Sequence, residues 1–311
     1  MNNKLKRVNL NHSFIFFLFS NFIFLLTLKI INFTLAPIIC LLLILTIGVS
    51  HGSLDHTKGK KLLQILNIKG MYIFYLLYTL ISISIIILWI FAPSTSLIIF
   101  LIVASFHFGK EDTKFLIEEN SLLNQLLFFL KGSLIILAPI FFHFDETITI
   151  FRYLLIDNEA FYSTLEFIEV NNIIYTGILL STFSSIYLFL KNFEIKKITI
   201  FLDYFSILII NYFLSPLVAF TVYFCFLHSI RHSISLVYEI DKIDFKNGLK
   251  IFVKRALPLT ILTAILCVIG LYLLNNSYDL DNSILKIVFI GLASLTFPHI
   301  LLEYFLEKNE K

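Results

Sequence analysis

The segment FTLAPIICLLLILTIGVSHGSLDH, residues 33–56, decides the fold class of this chain. Its first part is almost wholly apolar, as in a helix that spans a membrane. The segment ends with His51, Asp55 and His56, three polar side chains at the edge of the apolar run. Ionisable groups are costly inside a membrane and usually face the interior of a helical bundle. The segment therefore predicts a membrane helix with a polar site at its end.

The rest of the chain repeats this apolar character. Of its 311 residues 58% are hydrophobic and only 14% are charged, with a mean hydropathy of +0.89. A soluble domain has roughly half apolar and a quarter charged residues. The sequence therefore predicts an all-α, polytopic transmembrane bundle of about ten spans. Their approximate ranges are 13–31, 33–51, 71–92, 95–112, 122–142, 172–190, 198–214, 216–239, 252–274 and 284–305.

The positive charges orient these spans. Lysine and arginine are enriched in cytoplasmic loops of membrane proteins. If the N-terminus is cytoplasmic, 19 of the 24 lysines and arginines fall on the inner side, and three fall on the outer side. The pattern predicts that both termini are cytoplasmic. It also predicts a multi-pass membrane protein, with no nucleic-acid partner.

The sequence predicts one integral membrane domain, residues 1–311, with an N-terminal tail at 1–12. The first apolar run has no small-residue cleavage site after it, so we expect a retained span. The longest outer loop, about 143–171, is acidic. We expect a solvated connector there, and a helix lying on the surface is the alternative. Cys40, Cys225 and Cys267 each lie within an apolar run and predict no disulfide framework.

Six of the eight histidines fall in four short clusters. All four clusters lie on spans predicted to run from outside to inside, so they can share one layer of the bundle. A single buried histidine often makes only an interhelical hydrogen bond, but six at similar depth favour a metal site. The clusters are HGSLDH (His51, His56), HFGKED (His107), HSIRH (His228, His232) and PHILLEY (His299).

Residues near these histidines are suited to a metal centre. His228 and His232 are four positions apart, on one helix face. Ligating imidazoles usually donate their other N–H to a carboxylate, and Zn, Cu and Fe all accept imidazole ligands. Lys131 and Asp203 are also intramembrane charges, for which we expect structural pairing. The neighbours that could serve the site are Asp55, Glu111, Asp112, Arg231 and Glu303.

In this order, the four motifs resemble the Brp/Blh family (bacteriorhodopsin-related proteins) of bacterial and archaeal beta-carotene 15,15'-dioxygenases. The resemblance covers about residues 48–305. It implies oxidative cleavage of the central double bond of beta-carotene with O2, giving two all-trans-retinal molecules. It also implies a functional link to a retinal-binding rhodopsin and a location in a bacterial or archaeal inner membrane. The departures, Ser53 and the lysine-rich run after His56, are expected to bear little on the chemistry.

The resemblance further implies one ferrous iron, Fe(2+), held by four histidines. The implied ligands are His51, His107, His228 and His232. The other site residues would then hydrogen-bond the ligands or lie on the substrate side: Asp55, His56, Glu111, Asp112, Arg231, His299 and Glu303.

We expect the carotenoid to reach the iron sideways from the bilayer through an aromatic-lined tunnel. Its candidate walls are Phe106, Phe108, Tyr223, Phe224 and Phe226, and ordinary packing is the alternative. Two other functions stay open. A di-iron membrane desaturase or hydroxylase also uses many histidines, although its His-x-x-His-His boxes do not occur here. A non-enzymatic haem-binding or transport protein would need only two of the six.

Overall fold

The structure, a computed structural model, describes residues 3–27, 35–117 and 121–309, except the side chains of Asn3, Thr27 and His51. Within these ranges every regular element is helical. A helix satisfies all its backbone hydrogen bonds internally, as a lipid environment requires. The helices are α1 (Asn3–Thr27), α2 (Pro37–Leu43), α3 (Asp55–Ile65), α4 (Met71–Phe91), α5 (Pro93–Glu111), α6 (Leu122–Phe142), α7 (Phe144–Tyr153), α8 (Glu159–Val170), α9 (Ile173–Leu190), α10 (Ile198–Phe213), α11 (Pro216–Val222), α12 (Ile230–Ile240), α13 (Phe245–Leu274) and α14 (Leu280–Asn309).

The predicted class, a polytopic helical bundle, is confirmed. Among the described residues, eight helices are long and apolar enough to cross a membrane, and a ninth span is possible where α2 bends into α3. The remaining predicted span corresponds to α10, whose 16 residues are fewer than the ~20 that a bilayer needs. The count of ten and the cytoplasmic termini stay predictions. Residues 28–34, between the first two predicted spans, lie outside the described ranges.

The expectation of a solvated connector at about 143–171 is wrong. The segment folds into α7 and α8, and Phe151 and Tyr162 on these helices are buried in the main hydrophobic core. The indole N–H of Trp89 donates to the Leu154 carbonyl at 2.9 Å, which fixes the segment to the end of α4. Apolar residues at helical spacing on one face explain why this loop packs instead of extending into water.

Three irregular turns lie at or next to two of the histidine motifs, HGSLDH and HSIRH. Ile44–Gly48 and Tyr223–Ser229 are π-helical turns, and Val49–Leu54 is a 3-10 turn. π-helical turns are wider than α-helical turns and are frequent at functional sites. The two π-helical turns touch, since the Ser229 hydroxyl donates to the Gly48 carbonyl at 3.1 Å.

A very close helix contact fixes α5, which carries His107. A methyl group added at Gly109 would lie 1.8 Å from the Phe128 carbonyl oxygen on α6, and one at Gly132 would lie 1.9 Å from the Ser105 oxygen. Small residues let membrane helices approach until their backbones touch. Gly109 and Gly132 therefore set the distance between α5 and α6.

Candidate metal centre

Four helical segments bring four histidines together in the interior of the bundle. His107 comes from α5, His228 from the second π-helical turn, His232 from α12, and His299 from α14. All four side chains are buried. The rings of His107 and His228 lie 5.4 Å apart between centroids, those of His107 and His299 5.4 Å, and those of His232 and His299 5.8 Å. These four residues are called the histidine cluster below.

Two residues at the end of α5 brace two of these rings. Nδ1 of His228 donates to Asp112 at 3.2 Å, and Nδ1 of His232 donates to Glu111 at 3.1 Å. An ionised carboxylate only accepts hydrogen bonds, so Nδ1 carries the proton and Nε2 keeps its lone pair. Metal-ligating histidines are oriented in this way.

The third brace comes from another element. Nδ1 of His299 donates to Asp55, with 2.9 Å to each carboxylate oxygen. The hydroxyl of Tyr78 also donates to Asp55 at 2.9 Å, and that of Tyr223 donates to Asp112 at 2.7 Å. Two of the bracing carboxylates are therefore themselves held in place, which limits rotation of the rings.

Cations balance the carboxylates of the site. Lys58 contacts Glu303 at 2.6 Å, Lys114 contacts Glu111 at 2.6 Å, and Arg231 holds Asp203 with two bonds of 2.7 and 2.9 Å. A buried charge without such a partner would cost several kcal/mol. The pairing of Asp203 that we expected is thus with Arg231. Lys131 is buried in α6.

Two charged residues just past the end of α5 have shifted pKa values. Burial alone would raise the pKa of Asp112, but His228 and Arg231 overcome it and hold this pKa well below its usual range. Burial alone would lower the pKa of Lys114, but Glu111 and Glu303 hold it above its usual value. Both groups therefore stay charged at neutral pH. Asp112, as a carboxylate, accepts the hydrogen bond from Nδ1 of His228.

Glu303 lies within the histidine cluster. Its Oε1 is 3.7 Å from Nε2 of His299 and 3.9 Å from Nε2 of His232. Two triads offer ligand atoms that all lie within 4.8 Å of one another, one of His107, His299 and Glu303, and one of Glu111, His232 and Glu303. This donor set of buried imidazoles and carboxylates fits a transition-metal ion such as iron.

An apolar cavity of about 320 Å³ adjoins the histidine cluster. Three of its lining side chains are also well exposed on the outside of the bundle, Tyr75 at 47%, Leu262 at 50% and Leu266 at 59%. The cavity therefore reaches the lateral, apolar surface between α4 and α13. Its wall includes His56, His107, His228 and His299, Gly52 and Ser53, Phe74, Tyr78, Phe108 and Phe224, and Leu259, Thr263, Leu292 and Thr296.

A second cavity, of about 300 Å³, reaches His232 from another direction. Its lining is polar and charged, with Glu111, Lys114, Arg231, Glu239 and Lys242 among its residues. Its lining thus contains both positive and negative groups. The histidine cluster thus separates an apolar space from a polar one.

The predicted site residues occupy different positions in the structure. Asp55, Glu111 and Asp112 contact histidines of the cluster, and His56 lines the apolar cavity. His299, expected to hydrogen-bond the ligands or to lie on the substrate side, lies within the histidine cluster and also lines the apolar cavity. The side chain of His51 lies outside the described residues. Of the five predicted tunnel aromatics, Phe108 and Phe224 line the cavity, whereas Tyr223 holds Asp112.

Sequence reasoning missed one neighbour of the site. Lys58 contacts Glu303 and belongs to the lysine-rich run that was expected to bear little on the chemistry, which stays a prediction. The two residues are 245 positions apart, and no spacing rule connects them. A lysine two residues after His56, on the helix that the histidine motif begins, was the only available signal.

Comparisons with known proteins agree with the motifs. The family described as beta-carotene 15,15'-dioxygenase matches residues 42–307 of the chain. A protein named beta-carotene 15,15'-dioxygenase, from the uncultured marine bacterium 66A03, is 29% identical over 268 residues, which cover 84% of this chain and 90% of that protein. No solved structure gives a significant match. The resemblance drawn from the motifs is confirmed.

Proposed function

This chain belongs to the beta-carotene 15,15'-dioxygenase family, and on that premise we propose that it cleaves the central double bond of beta-carotene with O2, giving two all-trans-retinal molecules. The observation that carries the proposal is a braced cluster of buried histidines beside an apolar cavity open to the lipid side. The apolar lining of this cavity matches the surface of a lipid-soluble polyene.

The proposed cofactor is one ferrous iron. His107, His228 and His232 would hold it, together with His51, whose role rests on the family motif. When bound, iron supplies the binding and activation of O2, which organic side chains cannot provide. The carboxylates of Asp112 and Glu111 keep the protons of His228 and His232 on Nδ1, so that Nε2 is directed to the metal.

The protein's own part in the reaction is positioning. Side chains of α4, α13 and α14 line the apolar cavity and would bind one side of the polyene, bringing its central bond next to the histidine cluster. Phe108 and Phe224 lie against the His228 ring and exclude water from the reacting bond. Access from the bilayer between α4 and α13 would place the enzyme and its substrate in one phase. We propose a bacterial cell membrane as the location, and a retinal-binding rhodopsin as the user of the product.

The test is pigment analysis in a bacterial strain engineered to make beta-carotene, with and without this chain. We expect loss of colour and accumulation of retinal, both abolished by His228→Ala. The control is His143→Ala, at the outer end of α6 and away from the cluster, which should leave retinal formation intact. Persistent colour with folded, iron-loaded protein would refute the assignment.

The alternatives give different results in the same preparation. A haem protein would show an intense absorption band near 400 nm. A di-iron hydroxylase would contain two irons per chain and would leave an oxygenated but uncleaved carotenoid. Both carboxylate oxygens of Glu111 already accept hydrogen bonds, one from His232 and one from Lys114. Glu111 is therefore not available as a ligand of a second metal ion, and a single iron fits better.

A further inference from the structure

Glu303, one helical turn after His299 on α14, has a position that the all-histidine site does not explain. Its side chain is 12% exposed and points into the histidine cluster. Its Oε1 faces Nε2 of two histidines, His232 and His299, at 3.9 and 3.7 Å. These separations exceed hydrogen-bond distance.

We propose that Glu303 is a direct ligand of the metal, so that the centre combines imidazoles with a carboxylate. This rests on the proposed function only in requiring that a metal is bound. Two ligands bound to one metal at about 2.0–2.2 Å each are separated by no more than about 4.4 Å. Both Glu303 separations satisfy this limit. His107, His299 and Glu303 together form a set of two histidines and one carboxylate, the ligand composition of non-haem Fe(II) oxygenases.

The protonation pattern supports the same conclusion. His232 and His299 donate from Nδ1 to Glu111 and Asp55, which leaves lone pairs on the two Nε2 atoms. A carboxylate oxygen also carries only lone pairs. Oε1 of Glu303 lies within 4 Å of each of these Nε2 atoms, and a shared cation stabilises acceptor atoms placed so close together.

Lys58 provides the alternative explanation that must be excluded. It contacts Oε1 of Glu303 at 2.6 Å, so Glu303 could serve only as its counter-ion. Glu307, one turn further along α14, is a matched reference. It pairs with Lys110 at 2.5 Å but is 42% exposed.

The experiment uses full-length chains in detergent, loaded anaerobically with Fe(II). Iron affinity is measured by chelator competition, and the electron paramagnetic resonance spectrum of the nitric oxide adduct reports the ligand set. The variants are Glu303→Gln, Glu303→Asp, Lys58→Gln, the Lys58→Gln/Glu303→Gln double variant and Glu307→Gln.

If Glu303 is a ligand, Glu303→Gln loses more than the ~100-fold in iron affinity that loss of an outer partner costs at most. Its spectrum changes, and the double variant behaves like it. Lys58→Gln and Glu307→Gln keep the wild-type spectrum. Glu303→Asp retains iron with an altered spectrum, which keeps the test decisive if Glu303→Gln does not fold.

The inference is overturned if Glu303→Asp or Glu303→Gln keeps the wild-type spectrum, or if the double variant regains the affinity that Glu303→Gln loses. The second result would make Glu303 the counter-ion of Lys58 only. These measurements need no carotenoid. Failure to form retinal would thus refute the proposed function alone, and a Glu303-independent metal site would refute this inference alone.

Discussion

Replacing Gly109 by alanine should separate α5 from α6 and disturb the metal centre. The added methyl group would lie 1.8 Å from the Phe128 carbonyl oxygen and 2.9 Å from the Gly132 nitrogen. These are backbone atoms, so no side-chain rotation can make room. Ordinary contact needs about 3.5 Å, and the two helices must therefore move apart by roughly 1.5 Å.

The size of the effect follows from two opposing terms. Overpacking of a tight interface costs about 3 kcal/mol at the upper end of its usual range, whereas alanine gains about 1 kcal/mol over glycine in a helix. We expect a net loss of about 2 kcal/mol. His107 and Glu111 flank Gly109 on α5 and would move with it. A displacement of about 1 Å at a reacting site can cost about 100-fold in rate.

The control is Gly291→Ala on α14, where an added methyl group meets no atom within 4 Å. This variant should gain about 1 kcal/mol, so the two variants should differ by about 3 kcal/mol. Thermal unfolding in detergent and retinal formation measure both effects. The reasoning about the α5–α6 contact is refuted if the two alanine variants have the same unfolding temperature and activity.

Three further substitutions test the site and its surroundings. Asp112→Asn should weaken Fe(II) binding about 10- to 100-fold, measured by chelator competition, because His228 loses its charged brace. Leu266→Trp should fill the apolar cavity, and so lower retinal formation without changing the iron content of the purified protein. Asp203→Asn should destabilise the fold by about 3 kcal/mol in thermal or denaturant unfolding, the lower end of the cost of breaking a buried pair, because Arg231 loses its nearest carboxylate and keeps only Asp112, at 4.0 Å.

Each of these has a matched control. Asp145→Asn, at an exposed position in the first turn of α7, should leave iron affinity unchanged. Leu273→Trp lies on α13 like Leu266, is 62% exposed and should not affect turnover. Adding Arg231→Met to Asp203→Asn should restore part of the lost stability. Equal behaviour of a variant and its control would contradict the corresponding prediction.

Much of this protein could be inferred from residue type and spacing. Long apolar runs have only one way to satisfy their backbone in lipid, so helices and spans follow from hydropathy. The positions of His107, His228 and His232 on their helices follow from the same hydropathy pattern. Their association with Asp112 and Glu111 was also predictable, because an acidic pair directly follows the HFG motif. The family motifs supplied the chemistry.

The rest depended on contacts between distant parts of the chain. The sequence by itself determined the class of fold, the histidines and their acidic neighbours, since these are local properties of each segment. Only the tertiary structure decided that His299 joins the histidine cluster, that Lys58 meets Glu303, and that α7 and α8 pack on the core. The physical reason is that helix rotation and the close α5–α6 approach are set by packing against other helices, which no single segment encodes.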